Sequence, residues 1–208
     1  MTALRILGRA SSINVRKVLW TADECGLAYD HEAKWGSPDA PTSGQEFLAI
    51  NPNGLVPVLI DEIGPVFESN AICRYLAARA GRRDLLPPAP EDRARVEMWM
   101  DWQATELNSA WRYAFMGLVR RAAGYDDPDK IARSAERWNR KMRVLNDRLA
   151  LTGAYVAGAA FSLADVVVGL SAHRWRSTPI EHARLPAVMD WIERLALRPA
   201  FRRWSGDP

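Results

Sequence analysis

The stretch "GLVPVLI", residues 54–60, places a proline at the mouth of a buried strand. Proline has no N–H to give to a strand ladder, so it belongs at sheet edges, at first strand positions or at bulges. Two interpretations are open from these residues alone. Either Pro57 simply begins the strand, or the chain turns there and leaves the backbone N–H and C=O of Val56 for another partner.

The first 80 residues alternate short apolar runs with helical patterns. Short apolar runs bounded by turn residues predict strands, whereas apolar residues three or four apart predict helices. The predicted order is βαβ, then α, then ββα, and the first unit implies a parallel strand pair with a right-handed crossover. The elements are strands at 4–7 and 27–33, helices at 13–26, 44–50 and 69–81, and a hairpin around "DEIG" (61–64).

The strand pattern nearly disappears beyond a proline-rich connector at 82–92. Strands followed by a run of helices predict two domains, an α/β domain over about 1–80 and an all-helical domain over about 88–208. The second domain contains predicted helices at 91–122 (a long helix without an internal breaker), 128–153, 162–175 and 186–204.

The composition is that of an ordinary globular protein, with 48% hydrophobic and 25% charged residues. No apolar run approaches the ~18 residues that a membrane helix needs. The net charge of +3 comes from scattered arginines rather than a dense basic stripe, so we expect neither a membrane nor a nucleic-acid partner. The two cysteines lie far apart and the three histidines lack metal-ligand spacing. We therefore expect no metal, no disulfide framework and a cytoplasmic location.

Polar residues gather where the first predicted strand gives way to a helix, in "RASSINVRKV" (9–18). Helix N-termini leave backbone N–H groups unpaired and carry a partial positive charge, so they stabilise an anion and lower the pKa of a nearby thiol. Ser11, Ser12 and Asn14 all lie at this end of the helix. The alternative is plain N-capping, which Ser and Asn perform in many helices.

A second polar group, in "FESNAICRYL" (67–76), precedes the next predicted helix. Exposed N–H groups at this helix start suit a carboxylate, and Glu68 suits an ammonium group. Together they would recognise the α-amino acid end of a ligand. The alternative is again a capping motif, with Ser69 and Asn70 as the N-cap candidates.

Two features of the second domain concern packing. The sequence "SLAD" (162–165) before an apolar run is a capping box, and the helix that it begins is apolar all round, as is typical of a buried core helix. Trp111 and Phe115 lie one helical turn apart. They either pack in the core or line an apolar pocket.

These patterns together resemble the cytosolic glutathione S-transferase family. The resemblance rests on "SSINVRKV" (11–18), "NPNGLVPVL" (51–59), "ESNAI" (68–72) and the helical second half, and it covers essentially the whole chain. It is closest to the bacterial theta-like and nu-like branches. The implied fold is a thioredoxin-like βαβ-α-ββα domain followed by an all-helical domain, and the implied assembly is a homodimer.

The resemblance also implies roles for individual residues. A cis bond before Pro57 turns the chain so that Val56 offers its backbone to the cysteinyl part of glutathione, which pairs like a short added strand. Glu68 and Ser69 match the pair that binds the γ-glutamyl end. Ser12 matches the residue that faces the thiol, and Asn14 matches the alternative thiol contact of the nu-like branch.

The implied activity is transfer of glutathione, as co-substrate, to a small apolar electrophile in detoxification. Trp111 and Phe115 are the candidates for the electrophile pocket. Two alternatives use the same fold: a glutathione-dependent disulfide reductase or peroxidase of the nu-like type, and a non-catalytic binding module.

Two departures from the family pattern matter. Residues 9–14 contain no cysteine, so the mixed-disulfide chemistry of the cysteine-type branches is not expected. Leu55 stands where the theta-type pattern has a basic residue that helps to hold the glycine carboxylate. That carboxylate therefore needs another partner.

Overall fold

The computed structural model describes residues 4–206, which form two compact units. Unit 1 comprises the described residues up to Pro88 together with Pro199–Gly206, and unit 2 comprises Ala89–Arg198. The elements in chain order are β1 (Leu4–Leu7), α1 (Ile13–Glu24), β2 (Tyr29–Glu32), α2 (Gln45–Leu48), β3 (Val58–Asp61), β4 (Gly64–Phe67), α3 (Ser69–Arg79), α4 (Pro90–Trp102), a π-helical turn (Gln103–Leu107), α5 (Asn108–Leu118), α6 (Pro128–Thr152), α7 (Leu163–Ser177), α8 (Pro186–Ala196) and α9 (Pro199–Trp204).

Unit 1 is built on a four-stranded sheet with the strand order β2-β1-β3-β4. Strands β1 and β2 are parallel, and β3 is antiparallel to both β1 and β4. The predicted βαβ-α-ββα order and the parallel first pair are confirmed. The fold is that of a thioredoxin-like domain followed by helices.

One cross-strand row, Glu32–Leu7–Val58–Phe67, lies at the same end of all four strands. The chain leaves the sheet here after β2, β1 and β4, and it enters here before β3. We call the residues directly beyond this row the loop edge. Segments that are far apart in sequence are neighbours at the loop edge because the register of the strands places their ends side by side.

The core of unit 1 follows the predicted apolar faces. Val15, Val18, Leu19 and Ala22 of α1 are fully buried. This face packs against α3, while the sheet contributes buried side chains from β1 and β3. The helix ends at Glu24, two residues before the Gly26 at which the sequence predicts its end.

The last predicted helix, 186–204, is wrong as a single element. It breaks after Ala196, and α9 begins at Pro199, because the proline ring and its missing N–H disfavour a continuous helix there. Helix α9 also belongs to unit 1, although the sequence predicts all residues from 88 onward as one domain. Its Phe201 ring lies 5.1 Å from that of Trp20 on α1.

The long helix predicted over 91–122 is interrupted in unit 2 by the π-helical turn between α4 and α5. Gln103 of this turn is buried, and its side-chain amide donates to Asn108 Oδ1 (2.9 Å) and Ser171 Oγ (2.8 Å). A single π turn shifts the helical register without breaking the helix. The sequence predicts no breaker and gives no sign of this insertion.

Helix α6 spans 25 residues and agrees with the prediction over 128–153. Asp127 caps its first turn by accepting from the Lys130 amide at 3.0 Å, and Gly153 ends it with a φ of 69°. Throughout residues 4–206, no helix has both the length and the apolar character that crossing a membrane requires.

Helix α7 is the buried core helix of unit 2, as the sequence predicts. Its capping box is present, and Asp165 does more than close it. The Asp165 carboxylate accepts from the amides of Ser162 and Val156, both at 2.9 Å, and from Trp191 Nε1 at 3.0 Å. Burial raises the pKa of Asp165 to about 6, although these hydrogen bonds act in the opposite direction.

We expect Asp165→Ala to destabilise unit 2 strongly, because three buried N–H donors lose their acceptor. Each buried donor without a partner costs about 1–3 kcal/mol, so the free energy of unfolding should fall by at least about 3 kcal/mol in urea titrations. Asp190→Ala on α8 is the control, because Asp190 is exposed. It should change stability by less than about 0.5 kcal/mol. Equal, small effects of the two substitutions would contradict this account.

Candidate active site

The loop edge brings together most of the residues singled out in the sequence. Ser12 ends the loop that follows β1, Val56 and Pro57 precede β3, and Glu68 and Ser69 follow β4. The row Glu32–Leu7–Val58–Phe67 fixes this arrangement, since it ends the strands that carry these three segments. Helices α1 and α3 both begin at this edge, so the positive ends of two helix dipoles face the same region.

The peptide bond between Val56 and Pro57 is cis. Val58 is the first residue of β3 to pair with β1, so Val56 lies just outside the ladder. Among the described residues, the Val56 N–H donates no hydrogen bond and the Val56 C=O accepts none. Buried or half-buried backbone groups are nearly always paired. Of the two interpretations of "GLVPVLI", the structure therefore supports the one that leaves the Val56 backbone for another partner.

The loop before Val56 is shaped by Asn51, which is buried and was not singled out from the sequence. Its side-chain amide donates to the Leu55 carbonyl at 2.8 Å, and its side-chain oxygen accepts from the Asn53 amide at 3.1 Å. Gly54 adopts a φ of 62°, a left-handed conformation that favours glycine. The "NPNG" sequence thus presents Val56 in a fixed position.

The loop after β1 is held from both sides by backbone hydrogen bonds. Gly8 N donates to Glu32 O at 3.1 Å, and Arg9 N donates to Trp35 O at 3.0 Å. The turn closes when Ser12 N donates to Arg9 O at 3.0 Å. The first two bonds fix the start of the loop beside the segment after β2, and the third fixes its end at Ser12. Ser12 therefore has a defined position relative to the sheet.

Gly8 permits the close approach on which this arrangement depends. Its φ is 136°, and a Cβ at this position would lie 2.6 Å from Val15 Cγ2 and 2.8 Å from Val56 Cβ. These distances are far below van der Waals contact. Because Gly8 has no Cβ, Val15 in the first turn of α1 and Val56 can both pack against this one backbone position.

Ser12 occupies the N-cap position of α1, but its side chain makes no capping hydrogen bond within the described chain. Its backbone carbonyl accepts from Arg16 N at 3.1 Å, as an N-cap carbonyl should. Ser12 is a half-buried residue at the positive end of the helix. The capping alternative weighed for Ser12 does not describe this side chain.

Asn14 lies in the first turn of α1, two residues beyond Ser12. Its side-chain oxygen is buried and has no hydrogen-bond partner among residues 4–206. A buried amide oxygen without a partner costs about 1–3 kcal/mol, so such an atom normally meets water or a ligand. Ser12 and Asn14 thus both present unused polar atoms at this helix end.

Glu68, not Ser69 or Asn70, is the N-cap residue of α3, and Ser69 is the first residue of the helix. Glu68 has a φ of 69° and a ψ of 109°, a conformation that L-residues rarely adopt. Its side chain makes no capping bond within the described residues and is exposed. A strained residue that does no capping is typical of a binding position.

Comparison with known proteins identifies the family. A model described as "Glutathione S-transferase, N-terminal domain" matches residues 11–79, and one described as "Glutathione S-transferase, C-terminal domain" matches residues 128–206. Glutathione S-transferase GstB of Escherichia coli (strain K12) is 34% identical over 202 residues, which cover 96% of each chain. The chain belongs to the glutathione S-transferase family.

Two further relatives bear on the site of this glutathione S-transferase family member. A theta class glutathione S-transferase from Xanthomonas axonopodis pv. citri, solved with glutathione bound, matches the structure with a TM-score of 0.92 and 36% identity. The match covers 100% of this chain and 99% of that one. Disulfide-bond oxidoreductase YfcG of Escherichia coli (strain K12) is 32% identical over 165 residues, which cover 74% of this chain and 73% of YfcG.

The two cysteines of this family member are not activated thiols. Burial raises the pKa of both Cys25 and Cys73 to about 11. At neutral pH both therefore remain protonated, whereas a nucleophilic cysteine needs a lowered pKa.

Trp111 and Phe115 lie in unit 2 and are both buried. Their rings are 5.4 Å apart, and the Arg174 guanidinium lies 4.7 Å from the Trp111 ring and 4.1 Å from the Phe115 ring. Trp111 Nε1 also donates to Asn108 Oδ1 at 3.1 Å. The structure thus places both rings in the interior of unit 2, and their role in an electrophile pocket stays a prediction.

We expect Gly8→Ala to disrupt the loop edge. Gly64→Ala is a matched control, because Gly64 also has a positive φ (100°) but a Cβ there would meet nothing within 4 Å. Both substitutions carry backbone strain, and only Gly8→Ala adds overlap with Val15 and Val56. Overpacking of this kind costs about 1–3 kcal/mol, so Gly8→Ala should lower the free energy of unfolding by that much more. Equal losses in urea unfolding would contradict the close-approach argument.

Proposed function

We propose that this chain is a glutathione transferase in which the Ser12 hydroxyl activates the glutathione thiol. The single observation that carries the proposal is the Ser12 side chain itself. It stands at the N-cap of α1 without making a capping bond to the described residues, and the unpaired backbone of Val56 lies across the same edge of the sheet. A hydrogen-bond donor and a strand-pairing site side by side are what a cysteine-containing peptide needs.

The bound tripeptide uses three neighbouring groups of the loop edge. The cysteinyl N–H and C=O pair with Val56 in the manner of an added strand. The γ-glutamyl carboxylate meets the first amides of α3 and the Ser69 hydroxyl, and its ammonium group meets the Glu68 carboxylate. The cysteinyl sulfur then points along the loop edge toward the start of α1, where Ser12 and Asn14 lie.

The chemistry follows from the properties of these groups. The serine hydroxyl stays protonated and neutral near pH 7, so it cannot take up the thiol proton. Ser12 instead donates a hydrogen bond to the sulfur and stabilises the thiolate. The positive end of α1 acts in the same direction. The thiol proton leaves to solvent, and the thiolate attacks the electrophilic carbon to form a thioether. The electrophile balances the new C–S bond in one of two ways: it loses a leaving group with its bonding pair, or it is an activated alkene whose neighbouring carbon takes up a proton from solvent.

The remaining parts of the proposal concern the surroundings of this reaction. Trp111 and Phe115 are proposed to contribute to binding of an apolar electrophile. Membership of the family supports a homodimer and a cytoplasmic location. The free thiols of Cys25 and Cys73 are consistent with a reducing compartment. Detoxification of electrophiles is the corresponding physiological role.

A second candidate function is glutathione-dependent disulfide reduction. The observation that favours it is the buried Asn14 side-chain oxygen, which has no hydrogen-bond partner within residues 4–206 and could accept from the S–H of a bound thiol at the helix start that also carries Ser12. In this reaction the glutathione thiolate attacks a disulfide sulfur, forms a mixed disulfide and releases a thiol, and a second glutathione completes the exchange. The likeness to YfcG supports the same candidate.

Ser12→Ala distinguishes the two functions. We expect it to lower the rate of conjugation roughly tenfold or more while glutathione affinity changes little, because a donor to developing negative charge matters most for the ionised sulfur. The pKa of the bound glutathione thiol should rise, which a titration followed by thiolate absorbance measures. Asn14→Ala is the comparison, and both variants are assayed with a panel of electrophiles and with a small disulfide.

The outcomes assign one function each. Loss of conjugation in Ser12→Ala alone supports the transferase. Loss of disulfide reduction in Asn14→Ala with Ser12→Ala unaffected supports the reductase and overturns our proposal. Glutathione binding without turnover of either substrate class would leave the non-catalytic binding module.

We expect Glu68→Gln and Ser69→Ala to weaken glutathione binding itself. Each removes a contact to the charged γ-glutamyl end, and a hydrogen bond to a charged group contributes about 1.5–3 kcal/mol. Calorimetry with glutathione measures the loss. Glu68→Gly is an informative companion, because glycine relieves the positive φ and should raise stability by about 1 kcal/mol while binding still falls. Unchanged affinity in all three variants would mean that these residues only begin α3.

A further inference from the structure

The glycine carboxylate of glutathione has no partner at residue 55. Leu55 is apolar and 62% exposed, and its carbonyl is occupied by the Asn51 side chain. A carboxylate that leaves water without a charged or hydrogen-bonding partner loses affinity. If the chain binds glutathione as proposed above, another cation must stand at the far end of the peptide.

The strand order shows where that end lies. The γ-glutamyl group is held beyond β4, at Glu68 and Ser69, and the cysteinyl group is held beyond β3, at Val56. In the order β2-β1-β3-β4, the strand next to β3 on the side away from β4 is β1. An extended peptide that continues in the same direction therefore places its glycine end near the loop after β1. Adjacent strands lie about 4.8 Å apart, so this loop is about 10 Å from the end of β4, and the loop after β2 is about 14 Å away. An extended tripeptide spans about 10 Å.

Arg9 is the cation at that distance. It is the second residue after β1, it is exposed, and its side chain runs beside Gly36, where a Cβ would lie 3.8 Å from Arg9 Nε. Its guanidinium forms no ion pair or hydrogen bond with any residue of the described range 4–206. Its backbone, by contrast, is fixed at both N–H and C=O, through Trp35 and Ser12.

The neighbouring cations are placed or engaged differently. Arg5 pairs with Glu32 at 2.5 Å. Arg16 donates from its side chain to the carbonyls of Ala10 and Gly206. Lys34 lies after β2, and its ammonium group stands 4.9 Å from the centre of the Trp35 ring, where it makes a cation–π contact.

We propose that Arg9 binds the glycine carboxylate of glutathione, in place of the basic residue that Leu55 replaces. The guanidinium offers two parallel N–H donors to the two carboxylate oxygens, a geometry that lysine cannot reproduce. Since Arg9 O accepts from Ser12 N, one turn carries both the carboxylate ligand and the hydroxyl that faces the sulfur. Binding at the glycine end thus also fixes the position of the sulfur relative to Ser12.

The test compares ligands with and without a free glycine carboxylate. Calorimetry is run with glutathione, with its glycine monoethyl ester and with γ-glutamylcysteine, on the wild-type chain and on Arg9→Gln, Arg9→Lys and Lys34→Gln. We expect the wild type to prefer glutathione over the ester by about 10- to 100-fold. Arg9→Gln should lose that preference and bind the ester as the wild type does. Arg9→Lys should keep part of it, and Lys34→Gln should behave as the wild type.

Three results would overturn the assignment. A wild type that binds ester and acid equally shows that no group recognises the carboxylate. An Arg9→Gln variant that keeps the preference, or a Lys34→Gln variant that loses it, places the partner elsewhere. An Arg9→Gln variant that loses affinity for all three ligands equally shows that Arg9 only supports the loop. Failure of the wild type to bind any of the ligands overturns the proposed function itself, which is a different result.

Discussion

The site depends on one constraint, the cross-strand row Glu32–Leu7–Val58–Phe67 that ends all four strands of the sheet together. Strand register moves in whole residues, and a slip of one residue turns every side chain to the opposite face. The buried side chains of β1 and β3 therefore fix the register. The fixed register brings four segments together at this end of the sheet: the loops after β1 and β2, the residues before β3 and the start of α3. A binding edge results from core packing before any functional residue is considered.

Several residues at this edge lack the hydrogen bonds or the relaxed backbone conformation that their positions would normally give them. Within residues 4–206, Ser12 stands at a helix start without a capping side-chain bond and Asn14 carries a buried oxygen without a partner, while Glu68 holds a positive φ. Each of these lowers the stability of the isolated fold by a modest amount. Their concentration at one edge, beside two helix N-termini, is the physical reason for regarding it as a site.

The sequence predicts this architecture well where one pattern determines one element. The apolar face of α1, the capping box of α7 and the order of strands and helices in unit 1 are all of this kind. It fails where tertiary packing decides. The π turn begins at Gln103, whose buried side chain donates to Ser171 on a distant helix, and the assignment of Glu68 as N-cap follows from its backbone conformation. The break at Pro199 is different, because the proline itself could have predicted it.

The contacts proposed for the peptide divide into two physical kinds, and they tolerate sequence change differently. Val56 acts through its backbone, so its side chain is free to vary as long as the loop keeps its shape. The charged ends of the peptide need side chains or helix termini, and a cation that recognises a carboxylate can stand on any segment that the fold brings within reach. The loss of a basic residue at Leu55 therefore does not imply loss of the site. A cation on the neighbouring strand's loop, such as Arg9 after β1, reaches the same carboxylate because the register of the sheet, rather than the sequence near residue 55, sets the distances along the loop edge.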